Sequence, residues 1–256
     1  MFLHNTGMEK NMQLQRKMNF YEKYVKRILD VACSMLFIAA FWWLYAIIAF
    51  IVRVRMGSPV IFKQRRPGLI DHKSGEETLF NMYKFRSMTD ARDENGNLLP
   101  DEQRLPKFGS ILRSTSLDEL PEVFCILRGT MSVVGPRPQL VRDMVFMSDH
   151  QRMRHTAKPG LTGLAQIKGR NAITWEEKLN WDLKYIENVN FWEDIKIVFL
   201  TVAAVFMRSG ITDGENATVL DYGDSLLKAG KVSQEKYDAE LTYAKYLIEE
   251  HEKGSR

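Results

Sequence analysis

Hydrophobic and polar positions divide the chain into one apolar block and a long mixed remainder. Residues 31–52, VACSMLFIAAFWWLYAIIAFIV, run for 22 positions without a charge. Apolarity sustained over that length is the pattern of a membrane helix rather than of a core strand. It predicts one helix over residues 21–54, apolar in its last two-thirds. Residues 59–64 and 79–85 are rich in β-branched and aromatic side chains, with Pro67-Gly68 and Ser74-Gly75 between them, which predicts a β-hairpin. Residues 90–106, charged and turn-rich around Asn95-Gly96, read as a surface loop or short helix. A short helix is predicted over 120–128, and a short strand over 131–134 ending in Gly135-Pro136-Arg137-Pro138. Further helices are predicted over 139–154, 175–188 and 192–207. The last contains IVFLTVAAVFM, an apolar run of 11 residues, too short to span a bilayer and suited to a core or an interface. Residues 233–250 place Tyr237, Leu241, Ala244 and Ile248 at helical spacing, as in a peripheral helix or a partner-binding arm.

The fold class is therefore α/β, mixed and helix-rich, with an N-terminal membrane-embedded helix and a globular body that carries a small hairpin and amphipathic helices. The expected divisions are a variable tail at 1–20, the membrane helix at 21–56, a catalytic body at 57–212 and a charged helical tail at 213–256. A chain of 256 residues can build a core without disulfide or metal staples. Hydrophobic residues at 45% and charged residues at 27% exclude collagenous, mucin-like and wholly disordered classes. Lys plus Arg (36) exceed Asp plus Glu (32) by only 4, too little to argue for nucleic acid. Placement says more than the total: Lys23, Lys26 and Arg27 precede the apolar run, and Arg53, Arg55, Lys63, Arg65 and Arg66 follow it, as beside anionic lipid headgroups. Cys33 and Cys125 are too few and too far apart for a disulfide framework or a zinc site. Residues 1–20 carry Glu9, Lys10, Arg16 and Lys17 with no apolar h-region, unlike a secretory signal.

No GxGxxG, Walker A, GxSxG or HExxH pattern occurs. What stands out is Ser116-Leu117-Asp118-Glu119-Leu120-Pro121-Glu122 ahead of an apolar helix. Ser116 and Glu119 have capping-box spacing, and acids favour a helix start, so structure alone could account for them. The surroundings add a functional reading. Arg113 lies five residues before Asp118, Lys84 and Arg86 close the second strand, and Arg137 sits between two prolines. Cations on turns and strand ends beside a carboxylate suit phosphate groups. An ionised carboxylate is already a nucleophile; it needs phosphorus made electrophilic by cations or Mg²⁺.

Several segments carry a family resemblance in order: KRILD before the apolar run, PVIFKQRRPG at 59–68, YKFRSM at 83–88, SLDELP at 116–121, VGPRP at 134–138 and KPGLTG at 158–163. Over residues 21–212 the chain resembles bacterial sugar transferases, the monotopic polyprenyl-phosphate phosphoglycosyl transferases. Gly169-Arg170-Asn171-Ala172-Ile173-Thr174-Trp175 resembles the small-enzyme branch that includes the diacetylbacillosamine phosphate transferases. The resemblance implies transfer of a sugar phosphate, of an N-acetylated amino sugar, from a UDP-sugar to undecaprenyl phosphate. UMP would be released through a covalent phosphosugar, at the cytoplasmic face of a bacterial inner membrane. Carried over by motif, Asp118 would be the nucleophile and a Mg²⁺ (or Mn²⁺) ligand, with Glu119 as its partner; Glu119 could orient Asp118, accept a proton or cap the helix. Lys84, Arg86, Arg113 and Arg137 would hold phosphate oxygens. Besides UDP-sugar, undecaprenyl phosphate and the phospholipid membrane, a second copy of the chain or downstream glycosyltransferases are candidate partners.

The family's Ser-Pro at the middle of the apolar helix is replaced here by Trp42-Trp43, and residues 31–52 contain no proline. A re-entrant kink would then need Ser34 bonded back to the backbone, or packing against the body. Balanced flanking charges and interface-seeking Trp42, Trp43 and Tyr45 favour the re-entrant form, although 22 residues would reach about 33 Å and could span. Two other functions compete: a membrane-anchored, Mg²⁺-dependent nucleotide-sugar hydrolase, and a non-catalytic membrane scaffold whose charged C-terminal helix recruits partners.

Overall fold

The computed structural model describes residues 16–71, 73–169, 173–206 and 220–253. A π-turn at Tyr21–Val25 leads into α1 (Lys26–Met56), followed by the hairpin β1 (Ile61–Ile70) and β2 (Glu77–Phe85). Next come α2 (Asp101–Arg104), α3 (Lys107–Ser114), a 3-10 turn at Leu117–Glu119, α4 (Glu122–Arg128) and β3 (Ser132–Val134). α5 (Val141–Met144), α6 (Asp149–Arg152), a 3-10 turn at Met153–Thr156, β4 (Gly160–Thr162) and α7 (Leu164–Lys168) are all short. The chain continues through α8 (Trp175–Glu187), α9 (Phe191–Phe206), α10 (Tyr222–Lys228) and α11 (Gln234–Lys253). The expected end of α9 at Met207, Arg170 to Ala172 of the branch-specific segment, and most of the N-terminal tail lie outside the described residues.

The result is a mixed, helix-rich α/β structure with β1 and β2 antiparallel and β3 and β4 parallel. Pro67-Gly68, expected to turn the chain, lies inside β1 at an irregularity in the register between Pro67 and Ile70. The turn falls at the other expected signal, Ser74-Gly75, where Gly75 N donates to Asp71 O and Asp71 N to Glu76 O, both at 2.8 Å. The single helix expected over 139–154 is broken into α5, α6 and a 3-10 turn. Ser148 restarts the chain as a capping box: its Oγ accepts from Gln151 N at 3.3 Å, while Gln151 Oε1 accepts from Ser148 N at 2.9 Å. The pairing of β3 with β4 brings two backbones together at Gly135 and Gly160. A Cβ on Gly160 would sit 2.1 Å from Gly135 N, and one on Gly135 2.2 Å from Lys158 O, so no other residue fits either place.

α1 is long and apolar enough to cross a membrane by length and composition, and only 11% of its most apolar window is buried. It does not stand away from the body. Lys26, Asp30 and Ser34, and later Ile48 and Val52, form a buried stripe at i, i+4 spacing. Near its start, Arg27 Nη1 and Nη2 donate to Ile126 O and Leu127 O at 2.5 and 2.7 Å, and Asp30 Oδ1 accepts from Ser132 Oγ and Val133 N at 3.0 and 2.9 Å. Lys26 pairs with Asp194 at the start of α9. Near the other end, Tyr45 Oη donates to Leu120 O at 2.9 Å, and Ile48 and Val52 pack with Phe85 and Leu112. The Ser34 back-bond offered as a source of a kink is absent: Ser34 Oγ is buried with no hydrogen-bond partner, and α1 is unbroken α-helix.

The C-terminal segment, expected as a peripheral helix or a partner-binding arm, is a helix docked on the body. Trp175 Nε1 donates to Leu220 O at 2.8 Å, Tyr222 N donates to Asp143 Oδ1 at 2.9 Å, and Ala244 of α11 packs with Leu79, Val141 and Met144. The last two of these contacts brace α5, which begins three residues after Pro138.

Behind the same loop lies a buried ion pair. Arg154 Nε and Nη2 donate to Asp182 Oδ2 at 2.9 and 2.7 Å, with the two side chains 1% and 2% exposed. Asp182→Ala leaves that guanidinium uncompensated and is expected to lower folding stability by about 3–5 kcal/mol. Denaturant unfolding checks this; an unchanged midpoint would refute it.

Candidate functional site

Ser116 holds φ 56° in the left-handed region and its side chain makes no cap bond, so the expected capping box with Glu119 does not form. The reversal instead presents Asp118 and Glu119 from the 3-10 turn toward the end of β2. α3 arrives from the other side because Gly109 lies against Ser87 O, where a Cβ would come within 1.8 Å. Arg113 of α3 then donates from Nε to Ser87 Oγ at 2.9 Å, close enough to Asp118 for its charge to act on it.

Glu119 is the hub of the cluster. Its Oε1 accepts from Lys84 Nζ at 2.7 Å and from Arg137 Nη2 at 2.6 Å. Burial alone would raise its pKa, but Arg137 and Lys84 outweigh that and hold the carboxyl far below the usual range. Asp118 differs in kind. It is buried, and among the described residues its carboxylate takes no hydrogen bond or ion pair, although Lys84, Arg113 and Arg137 all lie within electrostatic reach. Burial pushes its carboxyl above the ordinary value, against the pull of Lys84.

Of the residues expected from sequence, Lys84, Arg113, Asp118, Glu119 and Arg137 are brought together. Arg86 is not part of the cluster. Its guanidinium donates to Met88 O, Met56 O, Ser58 O and Asp90 Oδ2, at 3.0, 3.1, 3.0 and 2.5 Å. These bonds tie the end of α1 to the end of β2 and take up the donors a phosphate would need, so Arg86 is corrected to a structural brace. Sequence reading set Arg66 beside lipid headgroups and gave Glu122 and Arg154 no role, yet all three belong to the surroundings of this site. Glu122 is buried behind Lys84. Arg66 donates to Pro138 O at 3.1 Å and to Gln64 Oε1 at 2.7 Å, keeps its Nε buried without a partner, and is lowered to about 10 chiefly by burial. Arg154 donates to Arg137 O at 2.5 Å and so fixes the backbone that carries the Arg137 guanidinium. The spacing of Glu122, four residues past Asp118, was the one available signal; the other two depend on tertiary partners.

Among the described residues no group of three or more His, Cys, Asp and Glu is placed to hold a metal ion. Magnesium does not require such a cage, since it is commonly held by one or two carboxylates together with substrate phosphates. The uncommitted Asp118 carboxylate fits that mode; Glu119, already bonded to two cations, fits it poorly. Chemically, an uncommitted carboxylate ringed by cations can attack phosphorus or ligate a cation that carries phosphate.

The bacterial sugar transferase family model matches residues 21–208. An uncharacterized sugar transferase of Bacillus subtilis, EpsL, is 44% identical over 194 residues, covering 76% of this chain and 93% of that protein. A UDP-glucose:undecaprenyl-phosphate glucose-1-phosphate transferase of Xanthomonas campestris is 37% identical over 197 residues, 72% of this chain and 39% of that protein. An undecaprenyl-phosphate galactose phosphotransferase of Salmonella typhimurium is 34% identical over 205 residues, 73% of this chain and 42% of that protein. This chain thus spans less than half the length of the Xanthomonas and Salmonella relatives.

Proposed function

Since the chain belongs to the bacterial sugar transferase family, we propose that this enzyme transfers a sugar phosphate from a UDP-sugar to undecaprenyl phosphate, releasing UMP and initiating glycoconjugate assembly. The observation that carries this reading is the division of labour between adjacent carboxylates: Glu119 takes two cations, and Asp118, beside the same cations, takes none. In the first step an Asp118 carboxylate oxygen forms a bond to the sugar-bearing phosphorus as the diphosphate bridge to UMP breaks. In the second, a phosphate oxygen of the lipid acceptor attacks that phosphorus and the bond to Asp118 breaks, restoring the carboxylate. Lys84, Arg113 and Arg137 contact phosphate oxygens and offset the charge gathered there. Glu119, held ionised by Lys84 and Arg137, orients those cations and is too weak a base to accept a proton. Asp118, together with phosphate oxygens of the donor, would hold Mg²⁺, which would supply charge neutralisation at the diphosphate.

The decisive experiment is incubation with undecaprenyl phosphate and a panel containing UDP-N-acetylated amino sugars, UDP-glucose and UDP-galactose. UMP release together with lipid-linked sugar is expected. Free sugar phosphate without the lipid product would instead favour the hydrolase, and full function after loss of Asp118 would favour the scaffold. The amino sugar is kept as the first donor of the panel, although the relatives' names print glucose and galactose.

Membrane attachment in this reading is one-sided, at the cytoplasmic face of the inner membrane. Arg27, ahead of the apolar run, and Tyr45, two-thirds of the way along it, both bond to the segment 120–127, and Val52 at its end packs with Phe85 and Leu112. A bilayer core of about 30 Å has no room between ends tied to one body. A single cysteine placed at Asn11, with Cys33 and Cys125 replaced, is therefore expected to resist an impermeant reagent applied from the periplasmic side of intact cells. Labelling from that side would show that α1 spans the membrane.

A further inference from the structure

Glu122 opens α4 and is 2% exposed, with its Oε1 3.2 Å from Lys84 Nζ. Helix polarity favours an acid at this position but does not ask for it to be buried. Burying a carboxylate is costly unless a partner recovers the lost hydration. Among the described residues the only compensation for Glu122 Oε1 is the Lys84 ammonium 3.2 Å away. The Lys84 amine is thus shared between two carboxylates: Glu119 at the accessible side, 2.7 Å away, and Glu122 behind it. The two differ in what else they hold. Glu119 also carries Arg137, whereas Glu122 has no other ion pair among the described residues. Burial pushes Glu122 up to about 6, with Lys84 pulling down and the charge of Glu119 adding to the rise; Arg137 also lowers it. Lys84 and Arg137 favour the ionised form, in which it pairs with the ammonium.

A cation that meets an incoming phosphate has to loosen its bond to the carboxylate beside it. Without a second tether, a lysine with four flexible side-chain bonds would leave with considerable rotational freedom. We propose that Glu122 is a positioning residue for the transfer: its buried carboxylate keeps the Lys84 ammonium aimed at the reacting phosphate after Glu119 releases it. The inference rests on the transfer reading above and adds to it a residue that acts through Lys84 rather than on substrate.

A double-mutant cycle tests it, with Glu122→Gln, Lys84→Met and the pair compared with the native enzyme in kcat/KM for UMP release. Glu122→Gln is expected to lower kcat/KM about tenfold, and the same change in the Lys84→Met background to alter it less than about twofold. Glu122→Asp, which keeps the charge, is expected to recover part of the loss. Equal costs in both backgrounds would mean that Glu122 serves packing alone and would overturn the proposal, as would an unimpaired Glu122→Gln enzyme. If Glu122→Gln unfolds, as read by thermal unfolding, Glu122→Asp replaces it in the cycle. Should the native enzyme release UMP from no donor, the transfer reading itself fails. The cycle is then read on affinity for magnesium pyrophosphate by calorimetry, where absence of coupling between the two positions refutes the positioning role.

Discussion

Asp118→Asn will release no measurable UMP, a loss of roughly 10³-fold or more on the scale seen when one member of a covalent mechanism is removed. Asparagine keeps the volume and the shape of the side chain but not the lone-pair charge that attacks phosphorus. The fold should not suffer. Asp118 gives up no hydrogen bond or ion pair among the described residues, so nothing is left unpaired by the change. The sign of its pKa shift points the same way. A carboxyl raised in the folded state contributes stability at low pH that is lost as pH rises through the folded value, so at neutral pH its charge opposes folding. Removing the charge is therefore neutral or mildly stabilising, and thermal unfolding should show an equal or higher midpoint. Intact-mass measurement after incubation with UDP-sugar alone completes the test: the native enzyme gains a sugar phosphate and Asp118→Asn does not. A gain by the variant, or a native adduct on another residue, would show that the covalent step runs elsewhere.

The contrast between Asp118 and Glu119 also shows what a sequence conveys. Long periodic elements were legible because their signals repeat: α1, α8 and the helical spacing in α11 emerged within a few residues of their limits. The hairpin was legible as a pair of strands and its turn in Ser74-Gly75, whereas the other turn signal, Pro67-Gly68, fits inside a bulged strand and turns nothing. Helices of four to eight residues such as α3, α5 and α6 carry too few turns for periodicity, and Ser148 with Gln151 interrupted what read as one helix. At the site, residue types were legible and partners were not. Arg86 and Arg113 look equivalent on paper. One is consumed by three backbone carbonyls and Asp90, while the other is set beside Asp118 by the close approach of Gly109 to Ser87. Glu122 and the Arg154–Asp182 pair were passed over for the same reason, since an acid in a short helix declares a role only when its burial and its cation are known.

Removal of divalent cations is expected to abolish turnover as completely as loss of the nucleophile. The charge present in the cluster explains why. Lys84 and Arg137 are both bonded to Glu119, and Lys84 also faces Glu122, so much of their charge is already answered before a donor arrives. Arg113 donates its Nε to Ser87, leaving its remaining guanidinium donors to act near Asp118. Into this nearly balanced site the reaction brings an anionic diphosphate, and an anionic carboxylate must approach it to bonding distance. Two unit charges of like sign 4 Å apart repel by about 4 kcal/mol at the effective dielectric near a protein surface, equivalent to roughly three orders of magnitude in rate. Lysine and arginine already engaged by carboxylates offset only part of that; a divalent cation held at Asp118 would supply the neutralisation still lacking. Treatment with excess chelator should therefore reduce UMP release by about 10³-fold or more, with Mg²⁺ or Mn²⁺ restoring it, and thermal unfolding should be unchanged, because no group of three or more metal-ligating side chains is built into the described fold. Undiminished UMP release in excess chelator would show that Lys84, Arg113 and Arg137 suffice to neutralise the donor and that Asp118 ligates no metal.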